Sequence, residues 1–353
     1  MKIGIITVHR AYNYGSVLQC YALQEYLKSL GHEVWVVDYR QPWTEAIYKA
    51  FSLYYVRKNI KHPRIILNYL KDYKKRKKQV KKRKLVFSSF MKKLHLTKSC
   101  LYDIPQNFDR YIIGSDQLWS HACFGGEDKI YLGYFHHNPN SKVVGYALSS
   151  NVKSLNIFGN EKIQEIVSNF DSLSVREPFI ADYIKKNLGI NVPVVLDPTL
   201  LADASIWENM IIHKWKRKKY IAIYQVRTLK GTPKLLLDKA KILASKMNCD
   251  IIDLSVMTYT VEDFISIIKY AQYVITTSFH ATVFSLIMET PCYTVKLGDG
   301  FDDRYVDLLN AVGADVGLVE KDFEPIPFHL NFNDVKYRLG NYKKQSINYL
   351  NNL

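Results

Sequence analysis

The sequence predicts an α/β protein of two domains, each built on a parallel β-sheet flanked by helices, which face each other across a cleft. The chain has 353 residues, more than one typical domain. Short β-branched runs alternate with helical segments in both halves, as they do in doubly wound Rossmann-like sheets. A lysine-rich stretch at 207–219 marks the boundary. We therefore expect domains at 1–215 and 216–330, with a C-terminal helix at 331–353.

The first half opens with a β-strand, a helix and a second β-strand. Residues 2–8 form an apolar run that predicts a buried strand, and residues 9–16 predict a loop. Residues 17–30 predict a helix, and Gly31 is a suitable stop. Residues 32–39 predict the second strand. The loop lacks the GxGxxG pattern, which argues against a dinucleotide at this turn.

A strongly basic insertion follows at residues 57–98. It contains 17 Lys or Arg and one acid, so it carries the whole net charge of +16; the remaining 32 of 49 bases and 32 of 33 acids balance. An apolar stripe predicts a long amphipathic helix or helical hairpin with a cationic face. The stripe consists of Ile66, Leu70, Tyr73, Val80, Phe87, Met91 and Leu94. A solvated helix and adsorption to anionic lipid both stay open. The lack of stacking aromatics and of a binding motif argues against nucleic acid.

A polar segment follows the predicted strand near residues 108–113. Ser115, Asp116, Gln117 and Trp119 stand where that strand reaches the carboxyl edge of the sheet. Carboxylates and amides bind sugar hydroxyls, and an indole can cover a pyranose face, so this set predicts a sugar site. The alternative is an Asx turn or a helix cap made by Ser115 or Asp116.

Arg176 is the next candidate. It follows a short predicted strand and precedes a helix that begins near Pro178. Its planar guanidinium suits a carboxylate or a phosphate, and the alternative is a structural ion pair with Glu177. Residues 192–201 predict a strand that closes on an Asp-Pro turn, where Asp197 is expected to cap or to orient.

The second half repeats the alternation of strands and helices. Strands are predicted at 220–226, 249–254, 274–277 and 292–297, and helices at 233–247, 261–271 and 302–309. The helix at 331–353 is expected to return to the first domain. Ser278, His280 and Thr282 stand at the junction between one strand and the following helix. An ionisable histidine framed by hydroxyls at a helix N-terminus predicts an anion site.

Composition excludes several classes. The five cysteines are scattered without CxxC spacing, which indicates a reducing compartment, no disulfide framework and no zinc site. No apolar run approaches the roughly 20 residues needed to span a bilayer. The first strand leads into His9 and Arg10 without a small-residue cleavage site, so no signal peptide is expected. These features predict a cytoplasmic protein without a bound metal.

Five segments together resemble the polysaccharide pyruvyl transferase family in order and spacing. They are residues 13–16, 114–119, 174–177, 197–201 and 277–284. The resemblance runs from residue 2 to about residue 315 and leaves out the basic insertion and the C-terminal tail. It implies a GT-B-like transferase of bacterial surface-polysaccharide synthesis. Such enzymes move a pyruvyl group from phosphoenolpyruvate, as co-substrate without a further cofactor, to a sugar diol, forming a ketal and releasing phosphate.

The resemblance also implies roles for individual residues. Arg176 matches a family arginine and is expected to bind the donor's carboxylate or phosphate. His280 matches the family histidine and is expected to act as general acid or phosphate ligand, with Asp116 as base or acceptor-hydroxyl ligand. Ser278 stands where characterised members have a donor arginine. The expected donor-side residues are Ser278, Thr282, Arg304, Lys296 and Arg10, of which the last three could replace the missing charge. The expected acceptor-side residues are Asn13, Gly15, Ser16, Ser115, Gln117 and Trp119.

Two other functions stay open. A GT-B glycosyltransferase with a nucleotide-sugar donor would need a carboxylate for the ribose, for which Asp253 and Glu289 are candidates. A non-catalytic glycan-binding relative would not need His280. The expected partners are a sugar or glycolipid acceptor and, through residues 57–98, the anionic inner face of a membrane.

Overall fold

The computed structural model describes residues 1–227 and 234–352 and divides the chain into two compact units. Unit 1 consists of Met1–Val175 and Phe179–Pro193, and unit 2 of Arg176–Pro178 and Val194–Leu353. The division falls near residue 193 rather than at the predicted residue 215. The reason is packing, because Leu196 and Leu200 belong to the apolar core around Phe279 of unit 2.

Unit 1 contains a five-stranded parallel sheet in the order β2-β1-β3-β4-β5. The strands are β1 Lys2–Ile6, β2 Glu33–Val36, β3 Arg110–Ile113, β4 Lys142–Leu148 and β5 Ser172–Val175. The predicted parallel α/β architecture is confirmed here. Because β1 pairs with both β2 and β3, the strand order reverses between β1 and β3. Ligands of such sheets bind at that reversal, outside the carboxyl ends of the strands.

Eight helices surround or extend this sheet among the residues described. They are α1 Tyr14–Ser29, α2 Pro42–Ile47, α3 Leu53–Lys58, α4 Pro63–Lys71, α5 Tyr73–Met91, α6 His121–Phe124, α7 Val152–Ser168 and α8 Pro178–Leu188. α1 begins three residues earlier than predicted. The Asn13 side chain accepts hydrogen bonds from the N–H groups of Gly15 and Ser16, which draws the end of the expected loop into the helix.

The basic insertion forms α3, α4 and α5 rather than one long helix. Its chain breaks at Asp72, which separates α4 from α5. The predicted stripe is confirmed only in its second part, where Phe87 and Leu94 are buried. Leu70, which lies before the break, and Tyr73, the first residue of α5, are exposed. Phe87 stacks on Tyr14 of α1 at 5.2 Å between ring centres, so the end of α5 is part of the unit 1 core.

Unit 2 contains a second five-stranded parallel sheet in the order β10-β9-β8-β6-β7. The strands are β6 Tyr220–Tyr224, β7 Asp250–Asp253, β8 Tyr273–Thr276, β9 Cys292–Val295 and β10 Leu318–Val319. If the strands of unit 2 are numbered 1 to 5 along the chain, the order read from the other edge of the sheet is 2-1-3-4-5, which is the order of unit 1. The reversal therefore lies between β6 and β8.

The helices of unit 2 are α9 Pro198–Leu201, α10 Ala204–Glu208, α11 Leu235–Met247, α12 Val261–Tyr270, α13 Phe279–Ile287, α14 Asp303–Val312 and α15 Phe332–Asn351. The predicted ends of two helices, Pro233 and Leu353, lie outside the described residues. No helix in the described part of the chain is both long enough and apolar enough to cross a bilayer.

One expectation for this half was wrong. Residues 192–197 form no strand: Val194 makes a single β-bridge, and the Pro193 carbonyl accepts a hydrogen bond from the Val175 N–H of β5 at 3.0 Å, where the chain crosses from one unit to the other. The C-terminal helix α15, which was expected to return to the first domain, is part of unit 2. It packs on α9 and α14 within unit 2, and its Ser346 hydroxyl accepts a hydrogen bond from the Leu196 N–H at 2.8 Å.

Candidate active site

The carboxyl ends of β6 and β8 form the first edge of interest, in unit 2. Thr276 ends β8, and Ser278 caps the following helix α13 by accepting a hydrogen bond from the Ala281 N–H at 3.4 Å. The N–H groups of the first helical turn have no acceptor within the helix and carry its positive dipole end. The predicted helix N-terminus is thus confirmed, and Ser278 serves it as the cap.

A buried ion cluster lies at this edge. Arg176 Nη1 donates to Asp197 Oδ2 at 2.7 Å, and Arg176 Nε donates to Glu177 Oε1 at 3.1 Å. Asp197 also caps α9 by accepting hydrogen bonds from the N–H and hydroxyl of Thr199 at 3.0 and 2.7 Å. All of these side chains are buried. The structural alternative for Arg176, an ion pair with Glu177, is therefore present, and Asp197 has the capping role expected for it.

His280 joins the same cluster from the first turn of α13. Its Nε2 lies 3.6 Å from Asp197 Oδ2, beyond ordinary hydrogen-bond distance. The residue is only 6% exposed, and this nitrogen has no hydrogen-bond partner among the described residues. A buried polar atom without a partner is costly, so its position calls for an explanation. A ligand or a transferred proton would supply one.

The electrostatics of Asp197 fix its protonation state. Burial alone would raise the pKa of this carboxyl, but the neighbouring His280 imidazole and Arg176 guanidinium outweigh burial and hold its pKa below the usual range. Asp197 therefore stays ionised and orients the two candidate donor ligands.

Two further arginines lie at this edge. The Arg304 guanidinium lies 5.9 Å from the centre of the Phe279 ring, and that of Arg176 lies 4.4 Å from the same ring. Arg304 is thus the expected replacement cation that the structure brings next to Arg176. Sequence reasoning missed Arg227, which follows β6, donates to the Thr277 carbonyl at 3.3 Å and pairs with Asp302 at 2.9 Å. Its position just after the first strand of the sheet, at the reversal of strand order, was the available signal.

Two of the other donor-side expectations, Thr282 and Glu289, are corrected, whereas Lys296 stays a prediction. Thr282 is 0% exposed and shares a hydrogen bond with Thr294 at 2.8 Å, so its hydroxyl faces the protein interior. Lys296 forms an ion pair with Glu320. Glu289, one ribose candidate of the glycosyltransferase alternative, precedes β9 and therefore lies at the amino edge of the sheet, where it pairs with Lys336 at 2.6 Å.

The remaining ribose candidate, Asp253, does end a strand at the carboxyl edge. Its carboxylate accepts a hydrogen bond from the Ser255 N–H at 2.8 Å. No group of three His, Cys, Asp or Glu side chains in residues 1–227 and 234–352 is arranged to hold a metal ion.

In unit 1, the corresponding edge lies between β1 and β3. Ser16 of α1 donates its hydroxyl to Asp116 Oδ2 at 2.9 Å, and the Gln117 N–H donates to Asp116 Oδ1 at 2.9 Å. The structure thus brings together two of the predicted acceptor-side residues with the candidate base. Asn13 and the buried Gly15 take part in the capping of α1 described above.

Two further members of the predicted sugar site, Trp119 and Ser115, are corrected, whereas Gln117 stays a prediction. Trp119 is 1% exposed and packs against Phe170, so its indole offers no face to a pyranose. Ser115 is fully buried and donates its hydroxyl to the Ala147 carbonyl at 3.2 Å. Gln117 is buried as well, and its amide nitrogen has no hydrogen-bond partner among the described residues.

Arg10, a further expected donor residue, belongs to unit 1. It donates from Nε and Nη2 to the two oxygens of Asp38 at 2.8 and 2.6 Å, and His9 Nε2 lies 2.9 Å from the same carboxylate. Burial would raise the pKa of Asp38, but the hydrogen bonds from His9 and Arg10 hold it below its usual range. Arg10 is therefore held in place by a permanently ionised partner.

The family profile described as polysaccharide pyruvyl transferase matches residues 13–297. No curated protein sequence matches the chain significantly.

Solved structures resemble the chain only distantly. UDP-N-acetylglucosamine 2-epimerase from Rickettsia bellii has a TM-score of 0.48 at 10% identity, over 99% of this chain and 95% of that one. The same enzyme from Methanocaldococcus jannaschii has a TM-score of 0.45 at 11% identity, over 96% and 92%. Heptosyltransferase WaaC of E. coli has a TM-score of 0.36 at 12% identity, over 84% and 88%. At this level no functional argument rests on these three likenesses.

Proposed function

Because the chain belongs to the polysaccharide pyruvyl transferase family, we propose that it transfers a pyruvyl group from phosphoenolpyruvate to a sugar diol. The observation that supports this proposal best is the buried cluster of Arg176, Asp197 and His280 at the N-terminus of α13. It combines a fixed guanidinium, an imidazole nitrogen that has no hydrogen-bond partner in the described part of the chain, and the positive end of a helix dipole. Each of these suits a donor that carries a carboxylate and a phosphate.

The donor is anionic, so it needs more positive charge than this cluster offers alone. Asp197 and Glu177 already balance much of the charge of Arg176. Arg304, whose guanidinium lies 5.9 Å from the centre of the Phe279 ring, supplies a second guanidinium. We assign to Arg304 the positive charge that is missing because Ser278 stands where characterised family members have an arginine. Ser278 itself keeps the helix N–H groups aligned towards the ligand through its cap.

The chemistry needs four proton movements. A general acid protonates the methylene carbon of phosphoenolpyruvate, which places positive charge on the central carbon. One acceptor hydroxyl attacks that carbon and loses its proton; phosphate then leaves, taking up a proton, and the second hydroxyl attacks and loses its own. His280 is the proposed acid, since its Nε2 has no hydrogen-bond partner within residues 1–227 and 234–352 and Asp197 orients the ring. In unit 1, Asp116 is the proposed hydroxyl ligand and base, since it is already a hydrogen-bond acceptor for Ser16.

The test is phosphate release from phosphoenolpyruvate by the purified full chain, with a panel of glycans and glycolipids as acceptors. We expect acceptor-dependent release, and a loss of about 10²–10⁴-fold in kcat for His280→Gln because general acid catalysis is worth that much. His329→Gln is the matched control, because His329 is exposed and distant in sequence from the cluster. It should leave the rate unchanged.

Three results would contradict the proposal. Turnover of a uridine nucleotide sugar without any phosphoenolpyruvate-dependent release would indicate the glycosyltransferase alternative. Full activity of His280→Gln would remove the proposed acid, and glycan binding without turnover of either donor would indicate a non-catalytic relative.

The proposal includes a membrane-surface location for the basic insertion. Its helices expose apolar side chains next to the lysines, with Leu67 at 55% and Leu85 at 77% exposure. Exposed apolar groups within a cationic helical surface are the combination that binds anionic lipid headgroups and the adjoining acyl region. The occupant we propose is therefore an anionic bilayer surface, which would bring the enzyme to a lipid-linked acceptor.

Deletion of residues 57–98 is not a clean test, because Phe87 and Phe90 are buried in unit 1. The sharper variant replaces five exposed lysines of α5 by glutamine: Lys74, Lys77, Lys78, Lys81 and Lys82. Its partition onto phosphatidylserine vesicles should fall by on the order of 10³-fold, given about 1 kcal/mol per lysine. The control replaces five exposed lysines outside the insertion: Lys153, Lys186, Lys216, Lys241 and Lys344. Equal losses for both variants would rule out a specific role for the insertion.

A further inference from the structure

A cavity of about 500 Å³ lies within unit 1, beside the carboxyl end of β1. Three parts of the chain line it. The loop after β1 contributes Arg10 and Tyr12, the segment that includes α2 contributes Arg40 and Tyr48, and α5 of the basic insertion contributes Lys84 and Phe87. Its volume lies in the ordinary range for small-molecule sites. The insertion therefore has an inward face that builds a pocket, apart from the outward lysines.

The charge of this pocket is positive and held in place. Asp38, which is buried, binds Arg10 at 2.6 Å and Arg40 at 3.3 Å, so one carboxylate fixes two guanidinium groups. Arg40 also donates to Glu45 at 3.2 Å, yet its Nε is buried without a hydrogen-bond partner among the described residues. Lys84 forms no ion pair within the described part of the chain.

The charges can be counted from the groups that line or support the cavity. Arg10, Arg40, Lys49 and Lys84 are positive, and Glu45 and Asp38 are negative. The balance favours an anion, and fixed guanidinium groups match the oxygens of phosphate better than a single flexible amine does.

The remaining wall is aromatic. Tyr12 meets Tyr48 edge to face at 5.2 Å between ring centres and lies 5.7 Å from Phe87. Aromatic faces and phenol hydroxyls suit a sugar ring, which presents C–H groups on one side and hydroxyls at its rim. Burial raises the pKa of Tyr48, the Arg83 guanidinium lowers it, and the Asp116 carboxylate raises it further. The aromatic wall is therefore close enough to the candidate base Asp116 to interact with it electrostatically.

We propose that this pocket binds the phosphate-bearing end of a glycosyl phosphate or diphosphate, and that α5 of the insertion supplies one of its walls. The identification of that ligand as the acceptor rests on the proposed function. Binding itself does not, since no donor is needed for it. The ligand chemistry is shared by a soluble sugar phosphate and by a glycan linked to a polyprenyl diphosphate.

The experiment is calorimetric titration of the full chain, without phosphoenolpyruvate, by three probes. These are N-acetylglucosamine 1-phosphate, N-acetylglucosamine, and a short polyprenyl-diphosphate-linked N-acetylglucosamine in neutral detergent micelles. We expect saturable binding of at least one phosphorylated probe and much weaker binding of the unphosphorylated sugar. A preference for the first probe would identify a soluble ligand, and a preference for the third a lipid-linked one.

Lys84→Gln tests the pocket directly. It should weaken binding of the phosphorylated probe by about tenfold or more, because a hydrogen bond between charged groups is lost. The matched control is Lys82→Gln, since Lys82 is exposed on the same helix but does not line the cavity. Both variants should lose the same small amount of binding to phosphatidylserine vesicles.

Three results would overturn the inference: no saturable binding of either phosphorylated probe, equal affinity for the unphosphorylated sugar, or equal losses for Lys84→Gln and Lys82→Gln. Failure of the proposed function appears differently, as intact probe binding without phosphate release from phosphoenolpyruvate. If release does occur, Lys84→Gln should raise the KM for the acceptor and leave kcat unchanged. An unchanged KM would count against the pocket alone.

Discussion

Asp197→Asn is the most informative perturbation of unit 2, because a single buried carboxylate supports the whole ion cluster. It removes the negative charge that lies 2.7 Å from Arg176 and 3.6 Å from His280. The side-chain oxygen that caps α9 remains, since asparagine is as good a cap as aspartate. The substitution therefore isolates the charge from the cap.

The magnitude follows from the burial of the pair. Removing one partner of a buried ion pair costs about 3–5 kcal/mol when the other charge is left uncompensated. Here Glu177 still contacts Arg176 at 3.1 Å and compensates part of its charge, so we expect a smaller cost of about 2–3 kcal/mol, at or just below the lower limit of that range. For a unit of this size the loss corresponds to a fall in Tm of about 4–12 °C.

The effect should also depend on pH with a defined sign. The pKa of Asp197 is depressed in the folded state, so its contribution is fully present above the unfolded value of about 4. It is lost as the pH falls from there through the folded value. The Tm gap between wild type and Asp197→Asn should thus be constant from pH 7 to pH 5 and shrink below about pH 4.

The assay is thermal unfolding followed by circular dichroism across this pH range. Asp203→Asn is the matched control, because Asp203 caps the neighbouring helix α10 through the Ser205 N–H at 2.8 Å but is not part of the buried ion cluster. It should change Tm little at any pH. Equal Tm values for wild type and Asp197→Asn at pH 7, or a gap that widens in acid, would refute the assigned role.

Two further substitutions test other parts of the structure. Gly114→Ala should destabilise unit 1 far more than Gly126→Ala in urea unfolding. Both glycines have φ near +128°, but a Cβ at Gly114 would lie 2.0 Å from the Tyr146 carbonyl oxygen, whereas a Cβ at Gly126 would have no described atom within 4 Å. Equal destabilisation would mean that backbone strain, about 1–3 kcal/mol, accounts for both. Asp307→Asn should raise stability at pH 7, because burial, with Asp303 and Glu177 adding, raises the pKa of Asp307 to about 6. A raised carboxyl pKa costs stability as the pH rises from about 4 through 6, so the stability gained by Asp307→Asn, about 1 kcal/mol after solvent screening, should vanish below pH 4. A gain in stability that persists below pH 4 would contradict the assignment.

The sequence predicted the sheets well because their signal is local. Buried parallel strands are continuous apolar runs, and residues 2–6 and 273–276 could be recognised without any knowledge of their neighbours. The run at 192–197 is similarly apolar, although it contains Pro193, and it is not a strand. Its hydrogen-bonding partners are decided by where the chain crosses between units, which no local pattern records.

The site was predicted only in part for a related reason. His280 and Arg176 follow strands, so the topology alone places them at a carboxyl edge. Trp119 also follows a strand, but its indole turns inward onto Phe170 and becomes core. Whether an aromatic side chain after a strand faces solvent or the interior depends on the helix packed beside it, and that packing is tertiary.

The common strand order of the two sheets gives these placements a shared logic. In each unit an arginine follows the first strand and is held by carboxylates, Arg10 by Asp38 and Arg227 by Asp302. In each unit the proposed reactive group follows the third strand, Asp116 after β3 and His280 after β8. Since the strand order reverses between the first and third strands, both groups stand at the point where such sheets form their ligand crevice. The same topology therefore accounts for the arginine that the sequence left unnoticed and for the histidine that it singled out.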